Sequence, residues 1–152
     1  MKQFNSEFKD NASQSIGLSF IKTYNLWHRA IKDKLALIKL THPQFIVLAA
    51  LGYLSQNKGE VTQIAISRQS DIDVMTVSTI IRNLEKAHLV IRLVSKEDSR
   101  AKTVKLTDTG QIILDKALPM VEEVDTQFFS ALNFDKSLFN ELLLKLIDNN
   151  LQ

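Results

Sequence analysis

The chain has 152 residues, 45% of them hydrophobic and 24% charged, with a net charge of +2, which fits one folded domain able to bury a real core. It contains no cysteine, so disulfides and thiol redox sensing are excluded. No stretch of about eighteen apolar residues occurs, and the start MKQFNSEFKD is too polar for a secretory signal; no membrane is expected as a partner, and the cytoplasm is the expected location.

The charge is unevenly spread. Residues 1–40 carry seven Lys/Arg against three Asp/Glu, residues 41–77 two against three, residues 78–106 seven against three, and residues 107–152 three against eight. A basic middle beside an acidic tail points to a local face for a polyanion.

In chain order, apolar residues at 16, 20, 24, 27, 31, 35 and 38 follow helical spacing and predict a first helix from Ile16 to Ile38. Pro43 stands where a second helix begins, and QFIVLAALGYLS continues it as a buried segment. After the break QNKGE, Thr62 can cap a short helix that carries Ile64 and Ala65 inward, and SDID makes a tight turn around a buried Ile72. Asp73 can cap the next helix, where its charge also suits the positive helix end. On that helix Val77, Ile80, Ile81 and Leu84 share one face, while Met75, Thr79, Arg82 and Lys86 collect on the other, flanked by Thr76, Ser78 and Asn83.

LVIRLVS reads as a strand with Ile91 and Leu93 alternating against Arg92. KTVKL reads as its mate, with Val104 and Leu106 on one side and Thr103 and Lys105 on the other. The segment between them is a hairpin tip. Thr107 caps a long helix to about Leu132 that Pro119 must bend or interrupt, and a last amphipathic helix runs from about Asp135 to Asn149.

Two short helices joined by a tight turn and followed by a hairpin make a winged helix-turn-helix. The expected fold is mainly α with a small β-hairpin wing, flanked by N- and C-terminal dimerisation helices. In that motif the second helix enters the major groove of double-stranded DNA. Hydroxyls at Thr76, Ser78 and Thr79 can reach phosphates or base edges, Arg82 can pair with guanine or phosphate, and Asn83 can read adenine. Arg100 at the tip can reach into the narrow, negative minor groove, with Lys96 and Lys102 beside it for phosphates. Asp98, two residues from Arg100, can accept its hydrogen bonds and fix its direction. Glu97 and Asp98 otherwise sit on a face meant for a polyanion. The competing reading is a winged-helix interaction module whose basic face meets an acidic protein.

The sequence resembles the MarR family (multiple antibiotic resistance regulators) of transcription factors across essentially its whole length. The resemblance rests on Pro43-Gln44-Phe45, Thr76-Val77-Ser78, Leu84-Glu85-Lys86 with Leu89-Val90, and above all Asp98-Ser99-Arg100-Ala101 followed by Leu106-Thr107 and Gly110. It implies a single domain over 1–152, with the DNA-binding part at 41–106 and helical dimerisation parts at 1–40 and 107–152. It also implies a homodimer on a pseudo-palindromic operator, Arg100 as the minor-groove residue and Asp98 as its support. Three departures stand out. Thr79 and Asn83 occupy positions where basic residues are frequent. His88 replaces a glycine that commonly ends the recognition helix in a left-handed conformation. Ser99 replaces a frequent second wing arginine.

The terminal helices offer long apolar faces, among them Phe20, Tyr24, Trp27, Leu114, Leu118, Val121, Phe128, Phe129, Leu138, Phe139, Leu142, Leu143 and Leu146, for which burial against a partner is the simplest account. MarR-like proteins often bind a small effector between the dimer helices and the winged part. Tyr24, Trp27, His28 and Phe45 are the candidates to line such a site for an aromatic or anionic molecule. His28, His42 and His88 lie far apart in sequence without carboxylates at helical ligand spacing, so no metal or other cofactor is expected. No catalytic constellation is recognisable either.

Overall fold

The computed structural model describes residues 1–151. A short 3-10 turn at Ala12–Gln14 precedes α1 (Ile16–Ala36), α2 (His42–Leu54), α3 (Gln63–Ser70) and α4 (Val74–Lys86). The hairpin β1 (Val90–Val94) and β2 (Lys102–Leu106) follows, then α5 (Asp108–Phe128), a 3-10 segment at Phe129–Asp135 and α6 (Lys136–Asn150). The element order is the one read from the sequence.

Caps explain where the helices start. The Thr41 hydroxyl accepts from the Gln44 amide while the Gln44 side chain accepts from the Thr41 amide, a reciprocal box with Pro43 in the first turn. Thr62, Asp73 and Thr107 each cap their helix through the side chain, as their positions predict. Asp71 ends α3 in the left-handed region at φ 57°, which gives the helix-turn-helix its tight corner.

One core joins α1 to α5 with the winged part. Ile31 and Leu35 of α1, Val47, Leu48 and Leu51 of α2, Ile66 of α3, Val77, Ile81 and Leu84 of α4, and Ala117 of α5 are fully enclosed. Truncating any of the larger of these side chains to alanine costs about 2–5 kcal/mol. Val104 of β2 donates its amide to the Val61 carbonyl at 2.8 Å, and Thr62 bridges Thr103. The segment before α3 thereby lies along the hairpin as a rudimentary third strand.

Four expectations are corrected. Ile64 points outward, 49% exposed, and Ile66 is the inward residue of α3; two residues are about 200° apart on a helix, so the two cannot share the buried face. The faces of β1 are opposite to the expected ones: Val90 is buried while Ile91 and Leu93 are 43% and 47% exposed, and Arg92 opposes the buried Val104. Arg92 tolerates that side by pairing with Glu85 of α4 at 2.8 Å. Pro119 does not interrupt α5, which is continuous to Phe128. The break comes later, at Asn133 with φ 50°, where no proline marks it. Part of the apolar surface assigned to a partner belongs to this core, since Leu114 and Val121 are 2% and 8% exposed.

Candidate nucleic-acid interface

The outward face of α4 is set by its buried one. With Val77, Ile80, Ile81 and Leu84 in the core, helical geometry leaves Met75, Thr76, Thr79, Arg82, Asn83 and Lys86 exposed, with Ser78 half-buried at the margin. Met75 is 82% exposed. The Thr76 amide and hydroxyl both donate to the Asp73 carboxylate, at 2.9 and 2.5 Å. The Thr76 hydroxyl and then its amide hold Asp73 below the usual carboxylate range. The Thr79 hydroxyl donates to the Met75 carbonyl at 3.2 Å. Both threonines therefore offer acceptor lone pairs outward, their protons being engaged. Arg82 and Lys86 form no ion pair among the described residues and present free cationic ends.

The helix ends in a left-handed residue, His88, at φ 60°. This is the position where a glycine would relieve the crowding of Cβ. The turn is tied down: the His88 carbonyl accepts from the Thr107 hydroxyl at 2.7 Å and the Leu89 carbonyl from the Thr107 amide at 3.1 Å. Gly110 then brings α5 against the same turn so closely that a Cβ there would lie 1.9 Å from the Leu89 carbonyl oxygen.

At the wing tip Lys96, Asp98, Arg100 and Lys102 are all exposed. Asp98 accepts from the Arg100 amide at 3.0 Å, from Nε at 3.2 Å and from Nη2 at 3.4 Å. The Arg100 amide, then its guanidinium, hold the Asp98 carboxyl below its usual range. Such an exposed pair contributes little stability; its two contacts to one guanidinium favour one direction for the side chain.

Two features of this region were not foreseen. Glu60, from the loop before α3, accepts from the Ser95 hydroxyl and the Lys96 amide at the foot of the tip, and the Glu85–Arg92 pair ties α4 to β1. Neither pair lies at a spacing that sequence periodicity reveals; 35 residues separate Glu60 from Ser95.

Of the effector candidates, Tyr24, Trp27 and His28 come together. Tyr24 stacks on His28 with ring centroids 5.6 Å apart, and Trp27 meets His42 edge-on at 5.2 Å. Phe45, 8% exposed, belongs to the hydrophobic core. The additional members are His42, whose Nδ1 lies 2.6 Å from Nδ1 of His28, and Asp125, which accepts from Trp27 Nε1 at 2.7 Å. Two of the three histidines that look remote in sequence thus meet. Among the described residues no group of three His, Asp or Glu side chains is placed to hold a metal ion.

Residues 31–125 match the family model of the ArnR1-like winged-helix domain. The HTH-type transcriptional regulator YdcH of Bacillus subtilis is 35% identical over 105 residues, covering 69% of this chain and 71% of that protein. Among solved structures, a mutant MarR from E. coli complexed with operator DNA superposes with a TM-score of 0.78 at 22% identity, over 93% of this chain and 98% of that one. BpsR of Bordetella bronchiseptica, whose DNA binding is regulated by 6-hydroxynicotinic acid, gives a TM-score of 0.78 at 24% identity, over 90% and 95%.

Proposed function

The chain belongs to the ArnR1-like winged-helix family, with the fold of the MarR regulators, and from that premise we propose that it is a homodimeric repressor that straddles a pseudo-palindromic operator. It is a DNA-binding transcription regulator; the dimer, the operator symmetry, the direction of regulation and the residues that touch DNA are the proposal. In this reading residues 41–106 read the DNA, α4 enters the major groove through Thr76, Ser78, Thr79, Arg82 and Asn83, and Arg100 enters the adjoining minor groove. Met75 borders the α4 contact, and Lys86, Lys96 and Lys102 meet phosphates. The observation that carries it is the juxtaposition of an α4 face free of internal ion pairs with an arginine aimed by Asp98. An acidic-protein partner is disfavoured by the family and explains the aimed wing arginine less well.

Segments 1–40 and 107–152 supply the dimer. Phe20, Leu138, Leu142 and Leu146 are 58%, 52%, 51% and 60% exposed, and α6 buries no residue within the chain. That much apolar surface calls for a partner, and a second copy presents the matching faces through two-fold symmetry. A dimer seated over a promoter excludes other proteins from it, which supports repression, and such a task places the protein in the cytoplasm.

A small aromatic or anionic effector is proposed to bind at the cluster of Tyr24, Trp27 and His28, by analogy with the regulation of BpsR; Phe45, part of the core, drops out of that set. The effector acts only through different affinities for the two dimer shapes.

The test is titration of a duplex selected by the protein from a random library against a scrambled duplex, over increasing salt. The proposal expects a preference for the selected duplex and an affinity that falls steeply with salt. Binding indifferent to both sequence and salt contradicts it.

A further inference from the structure

The wing tip is a loop exposed to water on nearly all sides, yet its arginine is directed. Within the hairpin, Asp98 is held by its own backbone: the Ala101 amide donates to the Asp98 carbonyl at 2.9 Å, and the Asp98 amide donates to the Ser95 hydroxyl oxygen at 3.2 Å. The Glu97 amide donates to that same oxygen at 3.1 Å. A serine hydroxyl has a single proton, and here it is given away, to Glu60 Oε2 at 2.5 Å. Its lone pairs therefore face the two tip amides. The second oxygen of Glu60 accepts from the Lys96 amide at 2.9 Å. Ser95 is 7% exposed, so the hydroxyl at the centre of this junction is buried, while Glu60 itself is half-buried.

Resting on the DNA-binding reading above, we propose that Glu60 is a positioning residue for the wing: its carboxylate orients the Ser95 hydroxyl, which orders the tip amides and so sets the direction in which Asp98 presents Arg100 to DNA. Glu60 stands outside the hairpin, on the segment that lies along β2 through Val61 and Thr62. It therefore references the tip to the body of the protein, as a contact internal to the hairpin cannot. A carboxylate beside a DNA-facing loop works against binding by simple repulsion. Its two oxygens here are occupied by donors of the wing, and the Lys96 amide followed by the Ser95 hydroxyl keep it below the usual carboxylate range, so it remains an acceptor through the neutral range.

The experiment is a double-mutant cycle on the full chain, read by fluorescence anisotropy with the duplex selected from the random library, together with amide and arginine Nε relaxation by NMR on the free protein. Glu60→Ala is expected to weaken binding about three- to tenfold, a fraction of the loss on removing Arg100 itself, through which it acts. Glu60→Gln, which keeps one acceptor of the two, is expected to lose less. In an Arg100→Ala background Glu60→Ala should have almost no further effect, because the residue it positions is gone. In the free protein, order at Asp98 and Arg100 should fall in Glu60→Ala and in Ser95→Ala, with melting temperatures recorded to separate this from global unfolding. Additive losses in the cycle, or unchanged order at Arg100 in both variants, overturn the proposal. A wild-type protein with no preference for the selected duplex would instead remove the DNA-binding reading, and the relaxation data would still decide whether Glu60 orders the wing.

Discussion

Arg100 keeps its side chain 89% exposed while two of its guanidinium nitrogens contact Asp98, an arrangement with little value to the isolated chain and much to a ligand in a narrow groove. Arg100→Ala should weaken binding to the selected duplex by roughly 1–3 kcal/mol, against little change for Lys116→Ala on the exposed side of α5; equal affinities for the two variants would remove the wing from the mechanism. His88 holds φ 60° without being glycine, and His88→Gly should stabilise the fold by up to about 1 kcal/mol in urea unfolding, with lower stability counting against strain at that turn. His42 gives a pH dependence. Burial, then the neighbouring His28, holds it below the ordinary 6.5, against the pull of Asp125. As pH falls below 6.5 the unfolded chain takes up this proton before the folded one does, so stability is fully present above 6.5 and declines toward the lowered folded value. The melting temperature should fall less steeply across that window in His42→Gln than in the wild type; parallel curves would contradict this. At this scale Asp98 beside Arg100 was legible because two residues of a tight turn must be near each other. Glu60, His42 and Asp125 were not, since their partners are brought to them only by the fold.

Helices were legible from their caps and buried periodicity, as α4 illustrates: Asp73 starts it and Val77, Ile80, Ile81 and Leu84 fill its inner face. The hairpin was legible as an element but not in its facing. Ile91 and Leu93 look like core on hydrophobicity alone, yet the register Arg92↔Val104 turns them outward, and the Glu85–Arg92 pair that makes this tolerable joins residues on different elements. Of the two outcomes expected at Pro119, a bend or an interruption, the interruption does not occur, since α5 runs through it to Phe128. Gly110 is where α5 meets the α4–β1 turn, and its requirement is for space: a Cβ would fall 1.9 Å from the Leu89 oxygen and 2.9 Å from its carbonyl carbon. Gly110→Ala must push two backbones apart and should cost about 2–3 kcal/mol or more in denaturant unfolding. A neutral result would mean that this junction is slack, and with it the placement of α4 relative to α5.

The whole molecule combines a complete core with incomplete ends. Ile31, Leu35 and Ala117 tie α1 and α5 into the winged part, while α6 and the outer turns of α1 leave leucines and phenylalanines in water. The proposed dimer would cover those ends, and in it an effector at the aromatic cluster of α1 would act by changing the separation of the two α4 helices. In the proposed complex the exposed lysines of the wing meet phosphates, so Lys102→Ala should reduce the slope of log affinity against log salt by about one unit without changing which duplex is preferred; an unchanged slope would take Lys102 off the phosphates. The most direct measurement is sedimentation velocity of the protein with the selected duplex. A complex of two chains per duplex, from a protein already dimeric at micromolar concentration, is the predicted result. A single chain per duplex, or a free monomer with its terminal helices unpaired, would contradict the account.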